Sequence, residues 1–290
     1  MEQTFDLLIL GGGPGGYVAA IRAAQLGLKA AIVEKEAIGG TCLHHGCIPS
    51  KALIRNAQVL ELFQHAETFG IKAEKIQPDF GAAVERSQQV ARKLHRGVMH
   101  LMKKHRVAVF EGFGKLISSR EIEVAGPDCA KIVRGDHIII ATGSCVRSLP
   151  NLPIDGVRII TSDDALRRKT LPKSVLIVGG GAIGVEFAYI YAVYGVQVTI
   201  VEMAPSLLPA EDHEVSATLE RSFKKRKISV QRGKQVKAIQ EENGIISVQL
   251  QDSAGEIETL SVDMILVAVG RAPNVEGIGL DTVGIAEEPV

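Results

Sequence analysis

One pattern occurs twice in this 290-residue chain and restricts the folds that it can adopt. In the first copy, the apolar run of residues 5–10 leads into a turn with Gly11, Gly13 and Gly16, and a helical pattern follows over residues 17–28. A strand, a G-x-G-x-x-G turn and a helix, in this order, predict a helix N-terminus that can bind a pyrophosphate.

The second copy begins after Pro150 to Pro153, which we interpret as a linker. A strand over residues 175–178 leads into the turn Gly179-Gly180-Gly181-Ala182-Ile183-Gly184, and a helix is predicted over residues 185–194. Repetition of a whole strand, turn and helix unit predicts two nucleotide-binding units in one chain.

Each copy also carries an acidic residue at the same distance from its turn. Glu34 and Glu202 end the second strand of their copies, 23 positions after Gly11 and Gly179. Dinucleotide-binding units have an acceptor for ribose hydroxyls at about this offset. At Glu202 a carboxylate would repel a 2′-phosphate, which favours NAD over NADP. We therefore predict an α/β fold with two Rossmann-like dinucleotide-binding domains.

A cysteine pair lies directly after the first copy, in the segment from Gly39 to Lys51 that we call the redox segment. Cys42 and Cys47 are five positions apart. In a regular helix their Cα atoms would be roughly 8 to 9 Å apart, whereas a disulfide needs less than about 7 Å. A bridge therefore requires a distorted turn, for which Gly46 gives backbone freedom, and Pro49 fits only near the start of the helix that follows. Such a short ring would be a reducible disulfide.

Three interpretations of these cysteines compete. They could be buried thiols that only pack. Cys42, His44, His45 and Cys47 are all zinc-ligand types, but structural zinc takes two separated ligand pairs, and no second pair follows. Redox exchange is favoured because the pair follows a dinucleotide unit.

Composition excludes several classes of function. The 33 basic and 33 acidic residues balance, so no bulk charge attracts nucleic acid or a membrane surface. We find no apolar stretch long enough to span a bilayer and no signal-like N-terminus, and we expect a cytoplasmic location.

The remaining pattern is mixed. Helices are predicted over residues 52–63, 82–106 and 209–227, the basic side chains of the middle one forming a solvated face. A turn is predicted at Gly126-Pro127-Asp128, next to Cys129, to which no catalytic role is assigned. A buried strand over residues 137–141 leads into a small-residue turn at residues 142–144, where an open α/β sheet presents backbone to a ligand.

Several motifs together resemble the dihydrolipoyl dehydrogenases, which are class I pyridine nucleotide-disulfide oxidoreductases. They are residues 11–16, the redox segment, residues 141–144, residues 179–186 and residues 270–274. The resemblance implies an FAD-binding domain over residues 1–149, an NAD-binding domain over residues 150–270, and the start of a return to the FAD domain over residues 271–290.

The resemblance also implies roles for individual residues. Cys42 would exchange with a dithiol substrate, Cys47 would lie against the flavin, and Lys51 would sit near the flavin ring, paired with Glu186. Glu34 would bind the adenosine ribose of FAD and Glu202 would belong to the NAD site. Further positions at the two cofactors would be Gly11, Gly13, Pro14, Gly15, Gly16, Lys35, Gly40, Thr41, Gly114, Ala141, Thr142, Gly143, Ser144, Gly179, Gly180, Gly181, Ala182, Ile183, Gly184, Val236, Gly270 and Arg271.

The same resemblance implies a reaction and partners. Dihydrolipoamide would be oxidised by NAD through FAD, and the partner would be a lipoyl-bearing protein of a 2-oxoacid dehydrogenase or glycine cleavage complex. Family members are homodimers whose C-terminal domain supplies a catalytic histidine. We expect this chain to lack that domain and the end of the FAD domain, and so to turn over lipoamide poorly.

Two departures and two alternatives accompany this interpretation. His44 and His45 stand where the family often has Asn and an apolar residue, which should tune the disulfide environment. A glutathione- or mercuric-reductase-like enzyme fits less well, because Glu202 disfavours NADPH and no further cysteine pair is found near the ends. A non-catalytic nucleotide-binding module is the alternative from another class.

Overall fold

The computed structural model describes residues 4–126, 130–242 and 244–288. The chain divides into two compact units. The first comprises Met1–Ile48, Gln89–Cys145 and Ala272–Val290, and the second Pro49–Gln88 and Val146–Arg271. Residues 49–88 thus group with the second unit, whereas the assignment of FAD and NAD to domains 1–149 and 150–270 stays a prediction.

A six-stranded sheet organises the first unit. Its strands are β1 (Thr4–Leu10), β2 (Ala30–Glu34), β3 (Ala108–Glu111), β4 (Phe113–Ser118), β5 (Glu121–Ala125) and β6 (Ala130–Ile140). They lie in the order β3-β2-β1-β6-β5-β4, in which β3, β2, β1 and β6 pair in parallel and β5 pairs antiparallel with both β6 and β4. Leu10 lies opposite both Val33 and Ile140, so β1, β2 and β6 end at one edge of the sheet.

The second unit repeats this arrangement. After β7 (Ser144–Val146), its strands are β8 (Ile159–Ile160), β9 (Ser174–Val178), β10 (Gln197–Glu202), β11 (Ser229–Arg232), β12 (Lys234–Glu242), β13 (Ile245–Asp252), β14 (Ile257–Val262) and β15 (Met264–Val267). A parallel sheet has the order β11-β10-β9-β15-β8, and β12-β13-β14 form an antiparallel sheet. The order β11-β10-β9-β15 is equivalent to β3-β2-β1-β6, which confirms the predicted repeat. Strand β16 (Arg271–Pro273) pairs with β7.

Helices connect these strands. They are α1 (Pro14–Gln25), α2 (Gly40–His44), α3 (Cys47–Gln64), α4 (Phe80–Lys104), α5 (Ser162–Ala165), α6 (Ala182–Val193) and α7 (His213–Lys225), with 3-10 turns at Ala66–Phe69 and Asp281–Val283. The helix predicted from residue 209 begins at His213, because the side chain of Asp212 accepts the N–H of Glu214 at 2.8 Å and caps it.

The core of the first unit follows the alternation of its central strand. Ile9 packs with Ile32 and with Ala20 of α1. Its neighbours Leu8 and Leu10 belong to another cluster, with residues of β4 and β5. Successive side chains of a strand point to opposite faces, so the sheet has a packed layer on each side of β1.

Two details of the first unit differ from the sequence predictions or lie outside the described residues. Residues 137–140 are a strand as predicted, but Ile139 and Ile140 are 38 % and 36 % exposed. Val133 and Ile138 of β6 pack against the core, but the faces at the end of the strand are not covered at Ile139 and Ile140, so the prediction of a buried strand over residues 137–141 was wrong. Of the predicted turn, Pro127 and Asp128 lie outside the described residues, as does Cys129.

Candidate functional site

The first glycine turn leaves β1 and enters α1 under tight steric limits. Gly11 has φ +107°, and a Cβ atom there would lie 2.2 Å from the carbonyl O of Ala141. A Cβ at Gly16 would lie 1.8 Å from the carbonyl O of Gly11. At Gly13, the N-cap residue of α1, the nearest atom to a Cβ would be the Cα of Gly40 at 4.0 Å. The outer glycines therefore allow the turn itself, and the middle one leaves room in front of the helix N-terminus.

Glu34 is oriented by the same turn. One carboxylate oxygen, Oε2, accepts the N–H of Gly12 at 2.6 Å, and Oε1 accepts the N–H of Glu36 at 2.8 Å. Two hydrogen bonds fix the plane of the carboxylate, and a carboxylate has lone pairs for further donors. The side chain is thereby set as an acceptor at the end of β2.

A cavity of about 300 Å³ opens beside this carboxylate. Among its lining residues are Gly11, Glu34, Lys35, Gly114 and Thr142, all of which were predicted from the family resemblance. A side chain at Gly114 would displace its neighbours, because a Cβ there would lie 2.4 Å from Cδ1 of Leu10 and 2.8 Å from Cγ1 of Val33.

Asn274 lines the same cavity and was not among the predicted site residues. Its Nδ2 donates to the carbonyl O of Thr142 at 3.1 Å, and its backbone N–H donates to the carbonyl O of Gly143 at 3.0 Å. It therefore holds the turn of residues 142–144. The motif over residues 270–274 was a signal for this residue, but the contact could be found only from the structure.

The second glycine turn has the same construction. Gly179 has φ +110°, and a Cβ there would lie 2.3 Å from the carbonyl O of Ala268. A Cβ at Gly184 would lie 2.0 Å from the carbonyl O of Gly179, while at Gly181, the N-cap of α6, none of the described atoms lies within 4 Å of it. Each turn thus keeps its middle position open.

Glu202 is held as Glu34 is held. Its Oε2 accepts the N–H of Gly180 at 2.6 Å and its Oε1 the N–H of Ala204 at 2.7 Å. The carboxylate therefore lies at the rim of the second turn, where it was predicted.

The redox segment is divided between two helices. Helix α2 ends at His44, and α3 begins with Cys47, so Cys42 and Cys47 do not share one regular helix. The break between the helices meets the condition that a bridge between the two cysteines would need. Gly46 contributes space rather than a positive φ, because a Cβ there would lie 3.1 Å from the carbonyl O of Thr41. Cys42 is half-buried and Cys47 is exposed. A disulfide between them stays a prediction.

Lys51 and Glu186 lie together in the second unit. Lys51 Nζ and Glu186 Oε1 are 2.6 Å apart, and the two side chains are 60 % and 25 % exposed. The predicted pairing is present, and the catalytic role of the pair stays a prediction.

The other predicted positions fall on both units. Val236 is buried in β12, and its carbonyl O accepts from Asn151 Nδ2 at 2.6 Å. Gly270 has φ +112° and precedes Arg271, the first residue of β16. Pro14 is the first residue of α1, and Gly15 follows it. Ala182 and Ile183 begin α6, Gly40 and Thr41 begin α2, and Ser144 begins β7.

Two features are absent from residues 4–126, 130–242 and 244–288. None of the helices is long and apolar enough to cross a membrane. No group of three or more His, Cys, Asp or Glu side chains in these ranges is arranged to hold a metal ion.

Known proteins resemble this chain along nearly its whole length. Dihydrolipoyl dehydrogenase of Bacillus subtilis is 44 % identical over 300 residues, and that of Chlorobaculum tepidum is 45 % identical over 289 residues. Both alignments cover 99 % of this chain, but they cover 63 % and 62 % of the relatives. The chain thus spans less than two thirds of the length of these relatives.

Solved structures share the fold of this chain. LpdA from Mycobacterium tuberculosis superposes with a TM-score of 0.89 at 28 % identity, covering 97 % of this chain and 61 % of LpdA. The Cu(II) complex of the HOCl-induced flavoprotein disulfide reductase RclA from Escherichia coli gives 0.83 at 28 % identity, covering 99 % of this chain and 61 % of RclA. The Pyridine nucleotide-disulphide oxidoreductase family matches residues 5–288. The chain therefore belongs to this family, whose members use FAD and NAD(H).

Proposed function

We propose that this chain forms the FAD- and NAD-binding region of a dihydrolipoyl dehydrogenase. The observation that carries the proposal is the double dinucleotide turn with a cysteine pair next to the first copy. In that copy, the N–H of Gly39 in the redox segment donates to the carbonyl O of Gly12 at 2.8 Å. A dithiol exchange site is thereby tied to a dinucleotide turn. Relatives named dihydrolipoyl dehydrogenase, at 44 % and 45 % identity, support the substrate class.

The residues of the first unit fit FAD. Gly13 leaves the helix N-terminus open for a pyrophosphate, and Glu34 presents a fixed carboxylate to a ribose. The cavity between Glu34, Gly114 and Thr142 suits a flat, partly polar group. In the second unit, Gly181 and Glu202 offer the equivalent sites to NAD. Bound FAD would accept two electrons from a dithiol and pass them to NAD, a transfer that has no easy direct path between thiol and nicotinamide.

The cysteines would carry out the exchange with the substrate. A thiolate of dihydrolipoamide attacks the Cys42 sulfur, the bond between Cys42 and Cys47 breaks, and Cys47 leaves as a thiolate. The second substrate thiolate attacks the mixed disulfide, forms cyclic lipoamide and releases the Cys42 thiolate. Two electrons have then moved from the substrate to the cysteine pair.

The partners follow from the same proposal. The substrate would be a lipoyl group on a protein of a 2-oxoacid dehydrogenase or glycine cleavage complex, and the functional unit would be a homodimer. The balanced charge of the chain, with 33 basic and 33 acidic residues, gives no reason to expect nucleic acid or membrane as a partner.

A comparison of electron acceptors and nicotinamide donors tests the proposal. The chain, reconstituted with FAD, is supplied with NADH or NADPH and with lipoamide, glutathione disulfide or Hg(II). We expect reduction of lipoamide with NADH above every other combination, and loss of this activity in C42S. Faster reduction of glutathione disulfide or Hg(II), or preference for NADPH, would contradict the proposed substrate and identify the reductase alternatives.

A further inference from the structure

One peptide group in the first unit is held from both sides. The carbonyl O of Ile38 accepts from Nε2 of His44 at 3.0 Å and from Nδ1 of His95 at 2.9 Å. The N–H of the same peptide, which belongs to Gly39, donates to the carbonyl O of Gly12 at 2.8 Å. The C=O and N–H of a trans peptide point in opposite directions. The peptide therefore links two histidines on one side to the first glycine turn on the other.

The carbonyl acceptor decides which ring nitrogens carry hydrogen. A carbonyl oxygen only accepts, and its two lone pairs can serve two donors. His44 must therefore carry a hydrogen on Nε2 and His95 on Nδ1. Both rings converge on one oxygen, and their centroids are 5.1 Å apart.

The two histidines come from different parts of the first unit. His44 is the last residue of α2 and stands between Cys42 and Cys47, whereas His95 lies in α4. Ile38 also packs closely against the first glycine turn. The residue is 3 % exposed, and a Cβ on Gly12 would lie 2.7 Å from its Cδ1.

The contacts continue from this turn to the ribose acceptor. The N–H of Gly12 donates to Glu34 from the peptide group on the other side of the Gly12 Cα, so the Ile38–Gly39 peptide and the carboxylate hold the same glycine from two peptide groups. A shift of the Ile38–Gly39 peptide would therefore move Gly12, and with it the backbone donor to Glu34.

We propose that His44 and His95 are positioning residues that couple the redox segment to the first dinucleotide turn. Neither imidazole has to touch substrate or cofactor for this role. Because coupling between two sites is reciprocal, FAD bound at the turn would change the disulfide equilibrium of Cys42 and Cys47. That second consequence rests on the proposed function, whereas the coupling within the protein does not.

Matched variants separate the hydrogen bond from the ring. The amide nitrogen of Asn takes about the position of a histidine Nδ1, and that of Gln about the position of Nε2. H95N and H44Q therefore keep a donor toward Ile38, and H95L and H44L remove it. Hydrogen exchange of the full chain is measured by mass spectrometry over residues 11–16, with β9 in the second unit as the internal reference.

Loss of one hydrogen bond should accelerate exchange over residues 11–16 about fivefold in H95L and H44L. H95N and H44Q should stay within about twofold of the wild type, and β9 should exchange equally in all five proteins. Unchanged exchange over residues 11–16 in both leucine variants would overturn the proposal. Equal acceleration in the leucine and amide variants would also overturn it.

A linkage measurement tests the reciprocal effect. The ratio of dithiol to disulfide at Cys42 and Cys47 is determined by alkylation in dithiothreitol buffers, with and without FAD. FAD should shift this equilibrium in the wild type and H95N, and about fivefold less in H95L. An equal shift in wild type and H95L would contradict the coupling. If the wild type bound no FAD, the proposed function would fail, and the exchange experiment would still decide the role of the histidines.

Discussion

Glu34 and Glu202 make the same two backbone contacts in two different units of the chain. Each carboxylate accepts the N–H of the second glycine of its turn at 2.6 Å. Each also accepts the N–H of the residue two positions after the glutamate itself, at 2.8 Å for Glu34 and 2.7 Å for Glu202. The two carboxylates therefore differ in the cofactor that they are proposed to bind, and not in how the backbone holds them.

This equivalence leads to a crossed effect of two substitutions. E34Q should weaken FAD binding about ten- to hundredfold and leave NADH binding within about threefold, and E202Q should do the reverse, since a hydrogen bond to a charged group is lost in each case. Isothermal titration of each cofactor gives both constants. Each variant is the control for the other, and similar losses of both cofactors in one variant would contradict the assignment of FAD to the first unit and NAD to the second.

The glycines of the second turn should differ according to the space around them. G184A places a methyl group 2.0 Å from a carbonyl oxygen, and we expect it to lower the free energy of unfolding by about 1 to 3 kcal/mol. At Gly181 the described atoms leave the position open, so G181A should unfold like the wild type and bind NADH at least about tenfold more weakly. Urea unfolding and NADH titration measure the two effects. An unfolding midpoint of G184A equal to that of G181A would contradict this account of the turn.

The amino-acid sequence predicts these turns well because a glycine turn depends on local sterics. Repeated spacing is enough to place Gly11, Gly179 and the two acids. Contacts between distant residues are different: His95 lies 57 positions from Ile38, and no local pattern indicates that it bonds there. Pairing of Lys51 with Glu186, 135 positions apart, was available only through family resemblance. Burial of Ile139 was predicted wrongly because hydrophobicity indicates a strand but not what covers its faces.

Lys51 should matter for chemistry far more than for stability. Its ion pair with Glu186 involves a side chain that is 60 % exposed, and such pairs contribute about 0 to 1 kcal/mol. K51M should reduce the rate of flavin reduction by dihydrolipoamide at least about tenfold if Lys51 lies near the flavin, with an unfolding midpoint close to that of the wild type.

The chain offers a matched control for this variant. Lys169 and Glu85 form another exposed ion pair of the second unit, at 2.5 Å. K169M should change neither the rate nor the midpoint in stopped-flow and urea experiments. Equal flavin reduction rates in K51M and K169M would refute the proposed role of Lys51.

Tyr189 should make the second unit sensitive to alkali. Burial, together with a hydrogen bond to Glu61, raises the pKa of Tyr189 to about 12 from an ordinary value of 10. The pKa of Tyr189 is higher in the folded chain than in the unfolded chain, so the protonated side chain stabilises the fold. This stabilisation is complete below pH 10 and is lost as pH rises toward about 12. Y189F should therefore show a smaller fall of the unfolding midpoint between these pH values. A fall as steep as that of the wild type would contradict the prediction.

The visible absorption spectrum of the purified chain, before and after about one equivalent of dithiothreitol, tests the central claim most directly. We predict a bound-flavin spectrum that gains a long-wavelength charge-transfer band in the wild type, because the Cys47 thiolate would lie against the flavin, and no such band in C47S. A chain that binds no added FAD, or a flavin spectrum whose response to dithiothreitol is the same in wild type and C47S, would contradict the claim that the redox segment and the first dinucleotide turn form one site.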